Sequence, residues 1–134
     1  MITAKVKGMT ELSMKIAALQ HECKEMLKEA SLAAAEPVRD TASNYAARSD
    51  SPTKAGHLAD HIEIQVEKST PTSCLVKVGP DRAHFYGPFL EYGTVKMAAQ
   101  PFMRPAMDTE FPEALSRFAA VCKRRVTSPL GGLL

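Results

Sequence analysis

The 134-residue chain has no tryptophan, only 6% aromatic residues and three cysteines, and its charges nearly cancel, 17 basic against 15 acidic. With so few rings, the core must rest on Leu, Ile, Val, Met and Ala. Cys23, Cys74 and Cys122 are odd in number, far apart and each set in an apolar pattern. They make neither a disulfide framework nor a CxxC pair, and are expected as reduced, packed thiols of a protein made in a cytosol. A net charge of +2 is too small to imply nucleic acid or a membrane as partner by itself. No run of about 18 apolar residues occurs, so no transmembrane helix is expected. The start, Met1–Lys7, lacks the apolar run of a signal peptide. The length suits one domain over residues 1–134, with 128–134 a flexible or partner-ordered tail.

The chain does carry clear periodicities. Ile2–Lys7 alternates like a half-buried strand, Gly8 ends it, and Thr10 is placed to cap a helix with Met9 and Met14 as its hydrophobic staple. Leu12, Ile16, Leu19, Cys23, Met26 and Ala30 then recur at spacings of 4, 3, 4, 3 and 4, which predicts one apolar helical stripe. Val38, Ala42 and Tyr45 continue it to about Ala47, with Pro37 expected to kink the helix or start a second one. Residues 49–56 read as a loop. Ile62, Ile64 and Val66, then Cys74, Val76 and Val78, predict an antiparallel hairpin turning at Ser69–Thr72, with one wet face. A last helix is expected from Pro105, with Leu115, Phe118 and Cys122 as its stripe and Ala119 and Val126 beside it. Pro112 is expected to kink or restart that helix. The predicted class is α+β: a long kinked N-terminal helix and a C-terminal helix packed on a small antiparallel sheet of the first strand and the hairpin.

The segment 80–105 has no regular period but concentrates chemistry. Phe85, Tyr86, Phe89, Leu90 and Tyr92 place five large side chains in eight positions around one carboxylate, Glu91. Gln100–Ala106 is apolar around a single base, Arg104, and holds Phe102. A carboxylate among apolar groups is costly unless paired, and a guanidinium is its best bidentate partner. Glu91 and Arg104 are therefore expected to meet, within the chain or across a subunit boundary. On that reading, reversing both charges should recover what either single change removes.

These residues also form two boxes. Phe85-Tyr86 precedes Phe89-Leu90-Glu91-Tyr92-Gly93-Thr94, and Ala99-Gln100-Pro101-Phe102-Met103-Arg104-Pro105-Ala106 follows. Together they resemble the small neck, or tail-completion, proteins of long-tailed phages, a family related to the minor tail protein Z of phage lambda. Gly8-Met9-Thr10-Glu11-Leu12 also fits that pattern, as does Gly56-His57-Leu58 with the family's Thr displaced to Thr53. The likeness spans roughly residues 6 to 126. It implies a structural virion protein of a siphophage head–tail junction, assembled in the bacterial host cytoplasm. Such a protein forms a homo-oligomeric ring, in six copies to match a tail tube, completes the tail, joins it to the head and contacts other neck and tail-tube proteins. Its subunit-interface or structural residues would be Glu91, Arg104, Phe85, Tyr86, Phe89, Tyr92 and Phe102, and DNA would pass through its lumen without sequence-specific binding.

The same residues admit other chemistries. Glu91 with Arg104 could be a catalytic acid held by a base, but no second acid, base or nucleophile is placed beside them, so an ion pair is expected and no enzyme. His57 and His61 have the spacing of a helical metal site, with His84 a distant third, yet a strand beginning near His61 breaks that geometry. Cys74 lies in an alternating strand, which argues for a buried thiol over a nucleophile served by His84. Gly79-Pro80 and Gly131-Gly132 lack the Gly-Lys-Ser/Thr of a phosphate loop. No cofactor or metal is expected. Arg117, Lys123, Arg124 and Arg125 could touch DNA phosphates in a lumen, against the plainer reading of a solvated helix end. The rival function is a small phage DNA-binding or packaging accessory protein using that end. The Leu12–Ala30 stripe, finally, could pack on its own domain, on another subunit, or on both.

Overall fold

The regular stripe from Leu12 to Ala30 lies in one long helix, α1 (Met9–Tyr45), whose 37 residues span about 55 Å at ~1.5 Å per residue. A computed structural model describes residues 3–4, 7–46 and 57–127 of the chain. Gly8, not Thr10, caps the helix: it sits at φ 85°, and its carbonyl accepts from the Leu12 N–H at 2.9 Å. Thr10 falls inside the first turn and its side chain makes no capping bond. The helix runs through Pro37 as one element. The lost backbone bond is tolerated because Pro37 is buried and contacts with the last helix flank it on both sides.

After a 3-10 turn at Leu58–Asp60, β1 (Ile62–Ser69) and β2 (Cys74–Pro80) form the hairpin. They pair antiparallel with Ile62 opposite Pro80, Ile64 opposite Val78 and Val66 opposite Val76. The register breaks at Glu67, so that Lys68 faces Leu75. Both strands lie against α1. The inward row is only partly covered: Ile62 is buried, Ile64 half-buried and Val66 exposed. Among the described residues the sheet has these two strands. The strand expected at Ile2–Lys7 falls mostly outside the described residues, and Thr3, Ala4 and Lys7 are not in a strand. The loop 49–56 and the tail 128–134 also lie outside them.

A second 3-10 turn (Arg82–His84) leads to a short helix, α2 (Gly87–Tyr92), where the sequence showed no periodicity. The last helix, α3 (Met103–Thr127), runs antiparallel along α1 and carries Pro105 in its first turn. Pro112 does not end it. Thr41 Oγ1 donates to Glu110 Oε1 at 2.8 Å, Arg117 lies 3.5 Å from Glu36, and Arg124 and Arg125 both pair with Glu29. The buried stripe of α3 is not the expected one. Ala106, Ala114 and Val121 are buried, whereas Leu115 and Val126 are exposed. Two long helices lying close admit small side chains between them, and Ala30, Ala35 and Ala42 of α1 meet the same demand. The bulkier side chains are displaced to the flank.

The main core is small. Ala42, Ala46, Leu58, Ala59, Ile62, Phe102 and Ala106 form it, and Phe102 is its only aromatic ring. The chain is thus α+β as expected, two long helices with a two-stranded sheet. No described helix is long and apolar enough to cross a membrane.

Candidate functional site

Glu91 stands at the end of α2 with its carboxylate aimed at the first turn of α3. Oε2 accepts from the N–H groups of Phe102 and Met103 at 2.8 and 2.9 Å, and Oε1 from the Arg104 N–H at 3.0 Å. Arg104 Nε donates to Oε1 at 3.0 Å, and its Nη2 donates to the Glu91 carbonyl at 3.1 Å. The pair therefore closes within the chain. Its weight lies elsewhere than the sequence suggested: Glu91 is buried but the Arg104 side chain is 58% exposed, so solvent screens the ion pair. Burial pushes the carboxyl upward in pKa, but the N–H groups of Met103, Phe102 and Arg104, with the Arg104 guanidinium, outweigh it and hold it at about 2. Glu91 satisfies orphan N–H donors at a helix start and sits where the α3 dipole favours an anion.

Two glycines permit this geometry. Gly93 (φ 77°) turns the chain out of α2, and a Cβ there would lie 2.7 Å from the Ala99 backbone N. The chain doubles back through a Thr94–Met97 bridge, and the Gln100 N–H reaches the Leu90 carbonyl at 2.7 Å. Phe102 is thereby delivered to the core. Gly87 packs on Pro80, where a Cβ would come within 2.6 Å of Cγ.

The rings do not surround the acid. Phe85, Phe89 and Tyr92 are exposed and Tyr86 is half-buried, touching Phe85 and His84 edge-on. Backbone N–H groups, not apolar faces, occupy the space at Glu91. Tyr92 lies under the Arg104 guanidinium, 5.1 Å from ring centre to Cζ. Six of the seven expected residues thus share one region as neighbours of α2, with Phe102 beneath them in the core.

Two apolar surfaces are left uncovered by the described residues. One is a groove of about 600 Å³ between α1, β2 and α3, lined by Ala34, Val38, Val76, Met107, Phe111 and Leu115 among others. The other is the first part of α1. The last described turns of α3 meet α1 near Glu22–Met26, beside Arg125. Residues 9–21, about 20 Å of helix, therefore extend past the described part of α3. Three members of the predicted stripe there, Leu12, Ile16 and Leu19, and the expected staple residue Met9 are between 42% and 55% exposed.

Of the basic residues weighed as DNA contacts, Arg124 and Arg125 are taken up by Glu29, and Arg117 by Glu36 and Glu113; Lys123 is exposed on the same helix end. Glu29 and Glu36 sit on α1, so their pairs join the two long helices, while Glu113 holds Arg117 within α3. The histidines fall otherwise than the spacing suggested. His57 is not with the others; His61 and His84 flank Asp81, which the sequence reading did not single out. Asp81 caps the 3-10 turn, accepting from the His84 N–H, and hydrogen bonding to His84 holds its carboxyl below the usual carboxylate pKa range. An Asp three residues before His, just after Gly-Pro, was the available signal. The three cysteines are free and half-buried.

No protein-family model, curated protein or solved structure matches the chain.

Proposed function

We propose that this chain is a ring-forming structural subunit of a phage head–tail junction, its overhanging α1 seated in the apolar groove of the next copy. The observation that carries the assembly is that both surfaces belong to one chain and cannot satisfy each other within it. Because α1 is one continuous helix, its own first turns cannot bend back to the groove beside Ala34 and Val38. A contact between two different patches of identical subunits is head-to-tail, and such contacts close into rings when the rotation allows. The lengths agree: the groove follows α3 from Met103 to Phe118, about 22 Å, and the overhang is about 20 Å. The exposed rings Phe85, Phe89 and Tyr92 add aromatic surface of the kind enriched where proteins meet, here for neighbouring neck and tail-tube proteins.

The phage assignment rests on the resemblance of the boxes at 85–94 and 99–106. Their chemistry suits a scaffold: Glu91 already accepts four hydrogen bonds, which leaves its carboxylate occupied in holding α3. Light scattering after size exclusion tests the assembly. The wild-type chain is expected to form concentration-dependent oligomers, and Leu12→Asp with Ile16→Asp to stay monomeric with unchanged helical circular dichroism. A wild-type monomer at the highest soluble concentration refutes the ring. A coding gene outside any phage or prophage refutes the phage assignment.

A further inference from the structure

His61, Asp81 and His84 come from three places in the fold: the residue before β1, the residue after β2, and the turn leading to α2. Their ligand atoms all lie within 4.8 Å of one another. Asp81 sits between the rings, with Oδ2 2.9 Å from His61 Nδ1 and Oδ1 2.5 Å from His84 Nδ1. The imidazoles are stacked, their centres 4.5 Å apart and their planes 22° from parallel, and both turn the same nitrogen to the same carboxylate.

We propose that His61 Nδ1, His84 Nδ1 and a carboxylate oxygen of Asp81 form a three-ligand site for zinc, with water as the fourth ligand. Two imidazoles and one carboxylate are a donor set for a borderline transition ion and a poor one for magnesium or calcium, which select oxygen. Three protein ligands and an open position is the common arrangement of non-structural zinc. Ligands bonded at ~2.1 Å to a tetrahedral ion lie about 3.4 Å apart, so the 2.9 and 2.5 Å contacts, made by different oxygens of Asp81, must open, and the stacked rings must turn for both Nδ1 atoms to meet at one ion. The surroundings permit that. His84 is fully buried and acts as the fixed anchor, while the His61 side chain, 39% exposed, can swing and leaves an entry path. In the bound form each ring carries its proton on Nε2, the Nδ1 proton now donated to Asp81 having moved there or gone to solvent, so both imidazoles ligate as neutral groups and the aspartate offsets one of the ion's two charges. The ion would tie the open end of the hairpin to the segment entering α2. None of the three ligands lines the apolar groove, so the site stands or falls independently of ring assembly.

The test uses the full chain without a histidine tag, titrated with zinc and, separately, with cobalt(II). One zinc per chain is expected, with the thermal midpoint raised by roughly 5 °C or more at saturating metal and restored by chelator. Cobalt is expected to give the intense visible absorption of a four-coordinate ion. His61→Ala removes only a part-exposed side chain, so it is expected to fold and to lose both signals. Asp81→Asn can still cap the turn at the His84 N–H, and is expected to weaken zinc roughly 100-fold, the upper end of what even an outer partner contributes. No zinc-dependent shift in the wild type overturns the site, as does the pale spectrum of six-coordinate cobalt. A thiolate-to-cobalt band overturns it by placing the ion on cysteine. Unchanged affinity in His61→Ala overturns it as well.

Discussion

Replacing Glu91 with Gln separates its two roles, anchor for backbone N–H groups and partner of Arg104. A carboxyl lowered from 4.5 to about 2 by native contacts corresponds to roughly 3 kcal/mol of stability, at ~1.4 kcal/mol per pH unit. Because the folded pKa lies below the unfolded one, that stability is complete above about pH 4.5 and is lost as the pH falls toward 2. Glu91→Gln keeps the shape but turns one acceptor into a donor facing the N–H groups of 102–104. It is expected to lower stability at pH 7 by about 2–4 kcal/mol and to flatten the acid limb between pH 4.5 and 2. Arg104→Ala removes only the exposed partner, and is expected to cost about 1 kcal/mol or less. Urea unfolding followed by helical circular dichroism, at one protein concentration and a series of pH values, measures all three proteins. If Glu91→Gln and wild type lose stability in parallel on acidification, Glu91 is not the group described. The same geometry reverses the expectation for the charge swap. Glu91→Arg with Arg104→Glu leaves the N–H groups of 102–104 without an acceptor, so it is expected to be no better than Glu91→Arg alone.

The two left-handed glycines should differ in a thermal-unfolding comparison. Gly8→Ala meets open space and is expected to cost about 1 kcal/mol, whereas Gly93→Ala adds a clash with Ala99 and is expected to cost several times more; equal costs would mean the 93–101 turn is not tightly held. Arg124→Ala is expected to change stability by less than about 1 kcal/mol, since the Arg124–Glu29 pair is exposed. It should also leave duplex-DNA affinity and its salt slope unchanged in fluorescence anisotropy, and a slope smaller by about one would restore the DNA-contact reading.

What could be read from the chain alone was whatever depends on local period and pair chemistry. The α1 stripe, the Ile62–Val66 and Cys74–Val78 alternation and the α+β class follow from 3.6- and 2-residue repeats, which are properties of the backbone. The meeting of Glu91 with Arg104 followed from the cost of a lone buried charge. Period could not say what covers a face. Leu12, Ile16 and Leu19 are as regular as Ala30, yet only Ala30 is buried, because the described part of α3 does not reach them. The α3 stripe shifted from Leu115 to Ala114 because close helix contact selects for small volume, which hydrophobicity does not encode. The partners of Glu91 are mostly backbone N–H groups, invisible in side-chain identity, and they were placed by the turn at Gly93. His61, Asp81 and His84 were brought together by the hairpin register, which sets Ile62 opposite Pro80 and so puts the flanking His61 and Asp81 side by side. Tertiary contact alone decided that.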